Sequence, residues 1–464
     1  MSNKKYGLVV LGSGPGGYVA AIRGAQVGLK TAIIEKDSVG GVCLNIGCIP
    51  TKTIINYIDT YNKIKKSKKF GIFTEVPEIN FAKIIDKSRS VANRLSKGVE
   101  FLLKKNNVDI IRGTGFLEEN THIKVRNGVD EQIIEFDNLI LATGSSPKSI
   151  PNIAFDGKFI LSSNDALLLK ELPEHIVIIG GGVIGIEFAY IWASVGVKVS
   201  IIEMMEHILP AEDEEMAEFL AKELKKMGVK IYTSHIVNDV SINNGKVTLS
   251  IKKIEGDIFE IVTDKVLLSI GRKPNLECID YEKIGIQVEN GFVVVDSNYQ
   301  TTVSNIFAIG DIINTPQLAH VASFEGIRVV EFLKGHQFSD KKVVPACVYS
   351  SPQYASVSVK DLDIQPEKIK TVKFPYQAIG KAIAIDDYSG FVKLSYDAIT
   401  KKIVSAKIIG PEATELIGYF VIAIDNQLTI DKIGESIFAH PTLSEIIKET
   451  AELSIGFPIH IPKG

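Results

Sequence analysis

Four cysteines stand in this 464-residue chain, and two of them, Cys43 and Cys48, lie five positions apart. So close a pair of thiols has two chemical uses. It can cycle between dithiol and disulfide and so carry two electrons, or it can supply half of a tetrahedral zinc site. Zinc needs two further ligands, and Cys278 and Cys347 each stand alone, with no His or Cys beside them. Spacing by itself also allows two buried thiols placed by chance. The local sequence favours redox work. Pro50 suits the first position of a helix, which would put Cys48 at a helix N-terminus, where the dipole lowers a thiol pKa. A secreted disulfide scaffold would carry a much denser set of cysteines.

A second candidate lies in the tail, His440-Pro-Thr-Leu-Ser-Glu445. A histidine oriented by a carboxylate is a common proton acceptor near neutral pH. The residues alone leave a structural or capping histidine as the competing reading.

The elements that must position these groups emerge from an internal repeat. Residues 7–35 and 176–203 match at a constant offset of 168, so that Gly12, Gly14, Gly17, Gly28 and Glu35 correspond to Gly180, Gly182, Gly185, Gly196 and Glu203. Each copy has an apolar run that reads as a buried strand, a G-x-G-x-x-G turn, an Ala-rich helical stretch, a Val-Gly break and a second apolar strand ending in Glu. The first glycine permits the tight turn, the second lets the backbone approach a pyrophosphate, and the third lets helix and strand pack closely. The pyrophosphate would sit at the helix N-terminus, where free N–H groups and the dipole favour anions. Two such fingerprints in matched register predict two dinucleotide sites. Glu203 can accept from a ribose 2′-OH and would repel a 2′-phosphate, which favours NAD over NADP; Met204 and Met205, not Arg, follow it.

The cysteine pair falls just after Glu35, inside the first nucleotide fold. Leu139–Gly144 before Pro147 and Val266–Gly271 before Pro274 repeat a strand, Gly turn and Pro exit. Ile306–Asp311 adds a third apolar run, whose Asp311 would face the ligand crevice. Beyond about residue 344 short alternating runs and amphipathic stretches predict a separate antiparallel α+β region. The expected fold class is therefore α/β, with two Rossmann-like dinucleotide-binding domains (1–147 and 148–270), a central segment 271–343 completing the first site, and a C-terminal α+β domain, 344–464. A net charge of −3 gives no reason to expect nucleic acid. No apolar run reaches the ~18–20 residues of a membrane span, and a strand-like run begins at Tyr6, so a cytoplasmic protein is expected.

These motifs, in this order, resemble the pyridine nucleotide-disulfide oxidoreductases. The likeness runs from Tyr6 to His460 and includes Gly-Gly-Val-Cys-Leu-Asn-Ile-Gly-Cys at 40–48, Ala-Thr-Gly-Ser at 142–145, Gly-Arg-Lys-Pro-Asn at 271–275, Gln317–His320 and the His440–Glu445 tail. The resemblance implies that Cys43 and Cys48 form the redox disulfide. It implies FAD held by Gly12, Gly14, Gly17, Glu35, Lys36, Gly41, Val42, Lys52, Gly115, Thr143, Gly144, Ser145, Asp311, Gln317, Leu318, Ala319 and His320. It implies NAD held by Gly180, Gly182, Gly185, Glu187, Glu203, Ile236 and Gly271. Lys52 and Glu187 match a charge pair beside the flavin N5, and no metal is expected. His440, oriented by Glu445, would act in the active site of the other subunit of a homodimer.

The tail and Glu203 resemble the branch that oxidises protein-bound dihydrolipoyl groups with NAD⁺. The partner would then be a lipoylated acyltransferase component of a 2-oxo acid dehydrogenase complex, or the lipoyl carrier of glycine cleavage. Reductases of other disulfides are the alternative, as is a non-catalytic FAD redox sensor. Three departures stand out: Phe438 in place of a second His, the less acidic 321–325 segment, and Gln353 where Glu is common.

Overall fold

The computed structural model describes residues 4–75, 77–151, 153–337, 342–359 and 364–462. The chain forms two compact units, one of residues 1–157, 161–172 and 270–339, the other of residues 158–160, 173–269 and 340–464.

In the first unit the strand Lys4–Leu11 lies between Thr31–Glu35 and Asp130–Leu141, parallel to both. Asp109–Arg112 extends the sheet on one side, and Ile306–Ala308 runs parallel to Asp130–Leu141. The central strand reads as a continuous apolar run because both its faces are buried. Val9 and Leu11 enter one core with Ala32, Ile34 and Leu139. Leu8 and Val10 enter the other, with Ala20, Ala21 and Ile33 from the covering helix and strand. His122–Asn127 and Thr114–Phe116 continue the sheet as an antiparallel extension. Between Glu35 and Asp109 the chain inserts three helices, Gly41–Ile46, Cys48–Lys65 and Phe81–Lys105.

The second unit repeats the nucleotide fold. Lys198–Ile202 pairs in parallel with His175–Ile179 and with Lys230–Tyr232, and Lys265–Leu268 lies on the far side of His175–Ile179. Even the register is repeated: Leu8 opposes Thr31 in the first copy, and Ile176 opposes Val199 in the second. The helix Pro15–Gln26 and its counterpart Val183–Ser194 both span 12 residues. Both end on the expected valine, Val27 or Val195, followed by a left-handed glycine.

The region past residue 344 forms a five-stranded antiparallel sheet in the order Ala346–Val348, Gln353–Ser358, Ile403–Gly410, Phe391–Asp397, Ile369–Pro375. Helices Ala413–Asp425, Ile430–Gly434 and Glu445–Ser454 pack on it through Leu416, Phe420, Ile446 and Ile447. This sheet is tied to the nucleotide fold of its own unit. Lys393 and Lys407 hold Asp213, the N-cap of helix Glu214–Lys226, at 2.9 and 2.7 Å. The Tyr354 and Ser356 hydroxyls donate to Glu212 at 2.7 and 2.8 Å. Among the described residues no helix is long and apolar enough to cross a membrane.

Candidate active site

The two glycine turns are built alike. Gly12 and Gly180 take φ of +101° and +106°, a region that L side chains rarely adopt. A Cβ on Gly17 would lie 1.9 Å from the Gly12 carbonyl oxygen, and one on Gly185 would lie 2.1 Å from that of Gly180. The third glycine is therefore demanded by helix-to-turn contact. At the middle glycines, Gly14 and Gly182, a Cβ would meet nothing within 4 Å. Each of these opens a helix as its N-cap without a side-chain capping bond, which leaves backbone N–H groups for an anion. Each terminal glutamate braces its own turn. Glu35 accepts from the Ser13 N–H at 2.9 Å and the Asp37 N–H at 2.8 Å; Glu203 accepts from the Gly181 N–H at 2.7 Å and the Met205 N–H at 2.8 Å. Both carboxylates are buried.

The cysteine pair sits directly on the first cradle. Cys43 lies in the short helix Gly41–Ile46, and a Cβ on Gly41 would come within 2.7 Å of the Gly14 Cα. The Asn45 side-chain amide staples this helix by donating to the Val39 and Gly41 carbonyls at 3.0 and 2.9 Å. Arg89, from the long helix behind, donates to the Asn45 carbonyl. Cys48 is the first residue of helix Cys48–Lys65, with Gly47 as its N-cap. The expectation for Cys48 holds, but Pro50 is the third helical residue, not the first. It still falls in the first turn, where a missing N–H leaves no intrahelical bond unmade.

The two cysteines are not joined by a disulfide here, and their side chains hydrogen-bond to each other. That contact with Cys48, followed by burial, pushes the Cys43 thiol far above its ordinary value; Lys52 pulls it the other way. The resemblance drawn from the sequence implies that Cys43 is the more accessible sulfur. In this structure Cys48, the first residue of its helix, is exposed, and Cys43, in the short helix whose Gly41 packs against Gly14, is half-buried.

Further elements of the first unit converge on the same cradle. Asp311 lies in the turn Gly310–Ile312 just past the strand Ile306–Ala308. Ser145 donates to its carboxylate, and the Gln317 amide donates to its carbonyl at 3.3 Å. Leu318 caps the helix Ala319–Leu333, so Ala319 and His320 form its first turn, as expected. Gly115 is buried against Leu11 and Ile123. The Thr143 hydroxyl is already engaged, donating to the Asn275 carbonyl at 2.7 Å, and the Asn275 N–H donates to Gly144 at 2.9 Å. Val42 is half-buried beside Cys43, and Lys36 is exposed.

Sequence reasoning gave no role to Arg272, although it quoted the motif that contains it. The segments Ser145–Pro147 and Arg272–Pro274 pair with each other in antiparallel fashion. Arg272 donates to the Ser145 hydroxyl and carbonyl at 2.7 and 2.6 Å and lies 3.9 Å from Asp311. Burial lowers its guanidinium pKa, while Asp311 and Cys48 favour its charge. Tyr18, also unmarked in the sequence, has its phenol pushed up by burial and by Cys43.

In the second unit the His235 N–H donates to the Glu203 carbonyl at 3.0 Å, which places Ile236 next to the acid's backbone, on the strand His235–Asn243. Glu187 is buried on helix Val183–Ser194 and accepts the Tyr349 N–H at 3.2 Å. Gly271 falls in the first unit, where its carbonyl accepts the Lys148 N–H at 3.0 Å. In the tail, His440 Nδ1 lies 2.9 Å from Glu445 Oε1, and Glu445 Oε2 accepts the Thr442 N–H at 2.9 Å. Burial raises the Glu445 carboxyl, but Thr442 and His440 hold it below its ordinary value overall. A carboxylate so held orients the imidazole and leaves Nε2 outward on a largely exposed ring. No cluster of metal-binding side chains occurs among the described residues.

Two open cradles with braced acids, one carrying a dithiol, define a flavin-type redox protein that handles two dinucleotides. Family comparison agrees. The pyridine nucleotide-disulphide oxidoreductase domain matches residues 6–326, and the dimerisation domain of the same family matches residues 344–451. The chain belongs to the pyridine nucleotide-disulphide oxidoreductases, which use FAD and NAD(H). Its relatives include the dihydrolipoyl dehydrogenase of Geobacillus stearothermophilus, 42% identical over 98% of this chain and 97% of that one. A dihydrolipoyl dehydrogenase of Bacillus subtilis is 40% identical over 98% and 99%. Among solved structures, LpdA from Mycobacterium tuberculosis superposes with a TM-score of 0.90 at 27% identity, covering 97% of this chain and 99% of that one.

Proposed function

We propose that the protein oxidises dihydrolipoyl groups with NAD⁺ as acceptor. The observation that carries this reading is the Cys43–Cys48 pair packed on a dinucleotide cradle, in a chain whose tail holds a His–Glu dyad. FAD in the first cradle and NAD⁺ in the second supply the two-electron relay away from the cysteines. Asp311, the Gly12–Gly17 turn, Lys36, the Gly41–Val42 backbone, Gly115, the Thr143–Ser145 stretch and the helix start Gln317–His320 hold the first group. Lys52, one turn past Cys48 on the same helix, contributes a positive charge beside the flavin. Glu203, the Gly180–Gly185 turn, Glu187 and Ile236 hold the second.

In the oxidised protein Cys43 and Cys48 are joined as a disulfide. His440 takes the proton from one dihydrolipoyl thiol, and Glu445 stabilises the imidazolium. The substrate thiolate attacks the Cys43 sulfur and expels Cys48 as a thiolate, which the helix N-terminus stabilises. The second substrate thiol then displaces Cys43, which takes up a proton. Lipoyl leaves, and the two electrons rest on the cysteine pair. Burial of Cys43 suits a sulfur that departs as a thiol.

The region 344–464 serves as a homodimer interface, and His440 acts in the partner's active site. The lipoyl group is carried in trans by an acyltransferase component or a glycine cleavage carrier. A cytoplasmic setting suits a cysteine pair that must return to the dithiol. The test is steady-state turnover of dihydrolipoamide with NAD⁺ and NADP⁺ in parallel. Turnover with NAD⁺, lost in His440→Gln, is expected; no turnover, or a strong NADP⁺ preference, overturns the reading.

A further inference from the structure

In the tail helix Glu445–Ser454, Glu445 and Glu449 stand four residues apart and so share one face. Each is matched by a histidine through Nδ1. His440 reaches Glu445 from before the helix at 2.9 Å, and His460 reaches Glu449 from beyond it at 2.7 Å. The second pair is made by chain reversal. The helix ends at Ser454, Gly456 turns at φ +87°, the Phe457 N–H donates back to the Glu452 carbonyl at 2.9 Å, and His460 returns to Glu449. Glu449 is only 7% exposed, and its Oε2 has no hydrogen-bond partner among the described residues. Without His460 this carboxylate would be buried with nothing to satisfy it, a costly state that the helix could relieve only by moving.

We propose that His460 is a positioning residue for the His440–Glu445 dyad: by tying the chain end to Glu449 it fixes the helix whose first residue orients the catalytic base. Both histidines also favour the ionised form of Glu445, so the two pairs form one charge cluster. The inference rests on His440 being the base.

The experiment compares His460→Ala, His460→Asn and His440→Gln in the flavin-loaded dimer. Two rates are read: dihydrolipoamide turnover with NAD⁺, and stopped-flow reduction of the bound flavin by NADH, which needs no base in the tail. His460→Ala should lower kcat for dihydrolipoamide about tenfold, since a small misplacement of a reacting group is costly. Flavin reduction should stay unchanged. His460→Asn keeps an N–H donor near the place of Nδ1 and should recover most of the loss. An unaltered kcat in His460→Ala overturns the inference, and so does an equal fall in both rates or a His460→Asn no better than Ala. If His440→Gln keeps full turnover, the base reading itself fails and this inference falls with it.

Discussion

The two nucleotide folds share strand register, helix length, glycine conformation and the braced glutamate, yet only the first carries a close cysteine pair. The difference lies in one connection. Between its second and third strands the first copy carries the helices Gly41–Ile46, Cys48–Lys65 and Phe81–Lys105; the second has only Glu214–Lys226 there. A dinucleotide cradle is thus a generic anion and ribose holder. What sets the first copy apart is an insertion whose first helix, the one carrying Cys43, packs its Gly41 against the cradle's middle glycine, Gly14.

The strongest way to break this comparison is to disable the insertion alone. Cys48→Ser should reduce dihydrolipoamide oxidation by about a thousandfold or more, because no thiolate can form at the helix start. Flavin content, read from the visible spectrum, should be retained. A Cys48→Ser protein that turns over at the native rate would falsify the disulfide mechanism.

The next effect separates the cradles. In Gly17→Ala or Gly185→Ala the new methyl would meet a backbone carbonyl, at 1.9 or 2.1 Å. Overpacking of about 1–3 kcal/mol corresponds to roughly tenfold to hundredfold in affinity. Gly17→Ala should purify poor in flavin. Gly185→Ala should stay yellow and show a raised KM for NAD⁺. The reverse pattern would exchange the two cofactor assignments.

A smaller effect should follow Glu203→Ala, which removes the acceptor for the Gly181 and Met205 N–H groups and for a ribose hydroxyl. The KM for NAD⁺ should rise about tenfold, and the margin over NADP⁺ should shrink. Unchanged discrimination would show that Glu203 does not read the ribose.

A last test, read in stability and not in activity, concerns Glu325, a buried carboxyl in the first unit that accepts the Gly310 N–H at 2.6 Å. Burial pushes its pKa up to about 7, against the Gly310 hydrogen bond, and Asp311 adds to the rise. A raised acid keeps its proton in the folded state while the unfolded chain has lost it. Stability from this group is therefore full below the unfolded value near 4.5 and falls as pH climbs through 7, by up to about 3 kcal/mol. Glu325→Gln should melt higher than wild type at pH 8 and match it near pH 4. A constant difference in Tm across that range would refute the proton linkage.

Much of this was legible along the chain because it rests on local rules. Glycine spacing, apolar runs and the Val-Gly breaks report backbone conformation and burial that neighbouring residues impose, so both nucleotide folds and the helix opened by Cys48 could be read directly. The helix start at Leu318–His320 was legible only through the family resemblance. The position of Pro50 was not, since Gly47 admits a helix two residues earlier. Arg272 was quoted only as part of a motif. Its place as a half-buried cation beside Ser145 and Asp311 depends on three segments far apart in sequence.

By itself, then, the sequence determined the repeat, the two cradles, the cysteine pair and its place after Glu35, because each follows from short-range sterics and strand or helix period. Tertiary structure alone decided which cysteine is packed and which is open, that each terminal glutamate braces its own glycine turn, and that His460 folds back onto Glu449. These are contacts between distant segments, set by packing and by the need to satisfy buried polar groups, and no spacing along the chain encodes them.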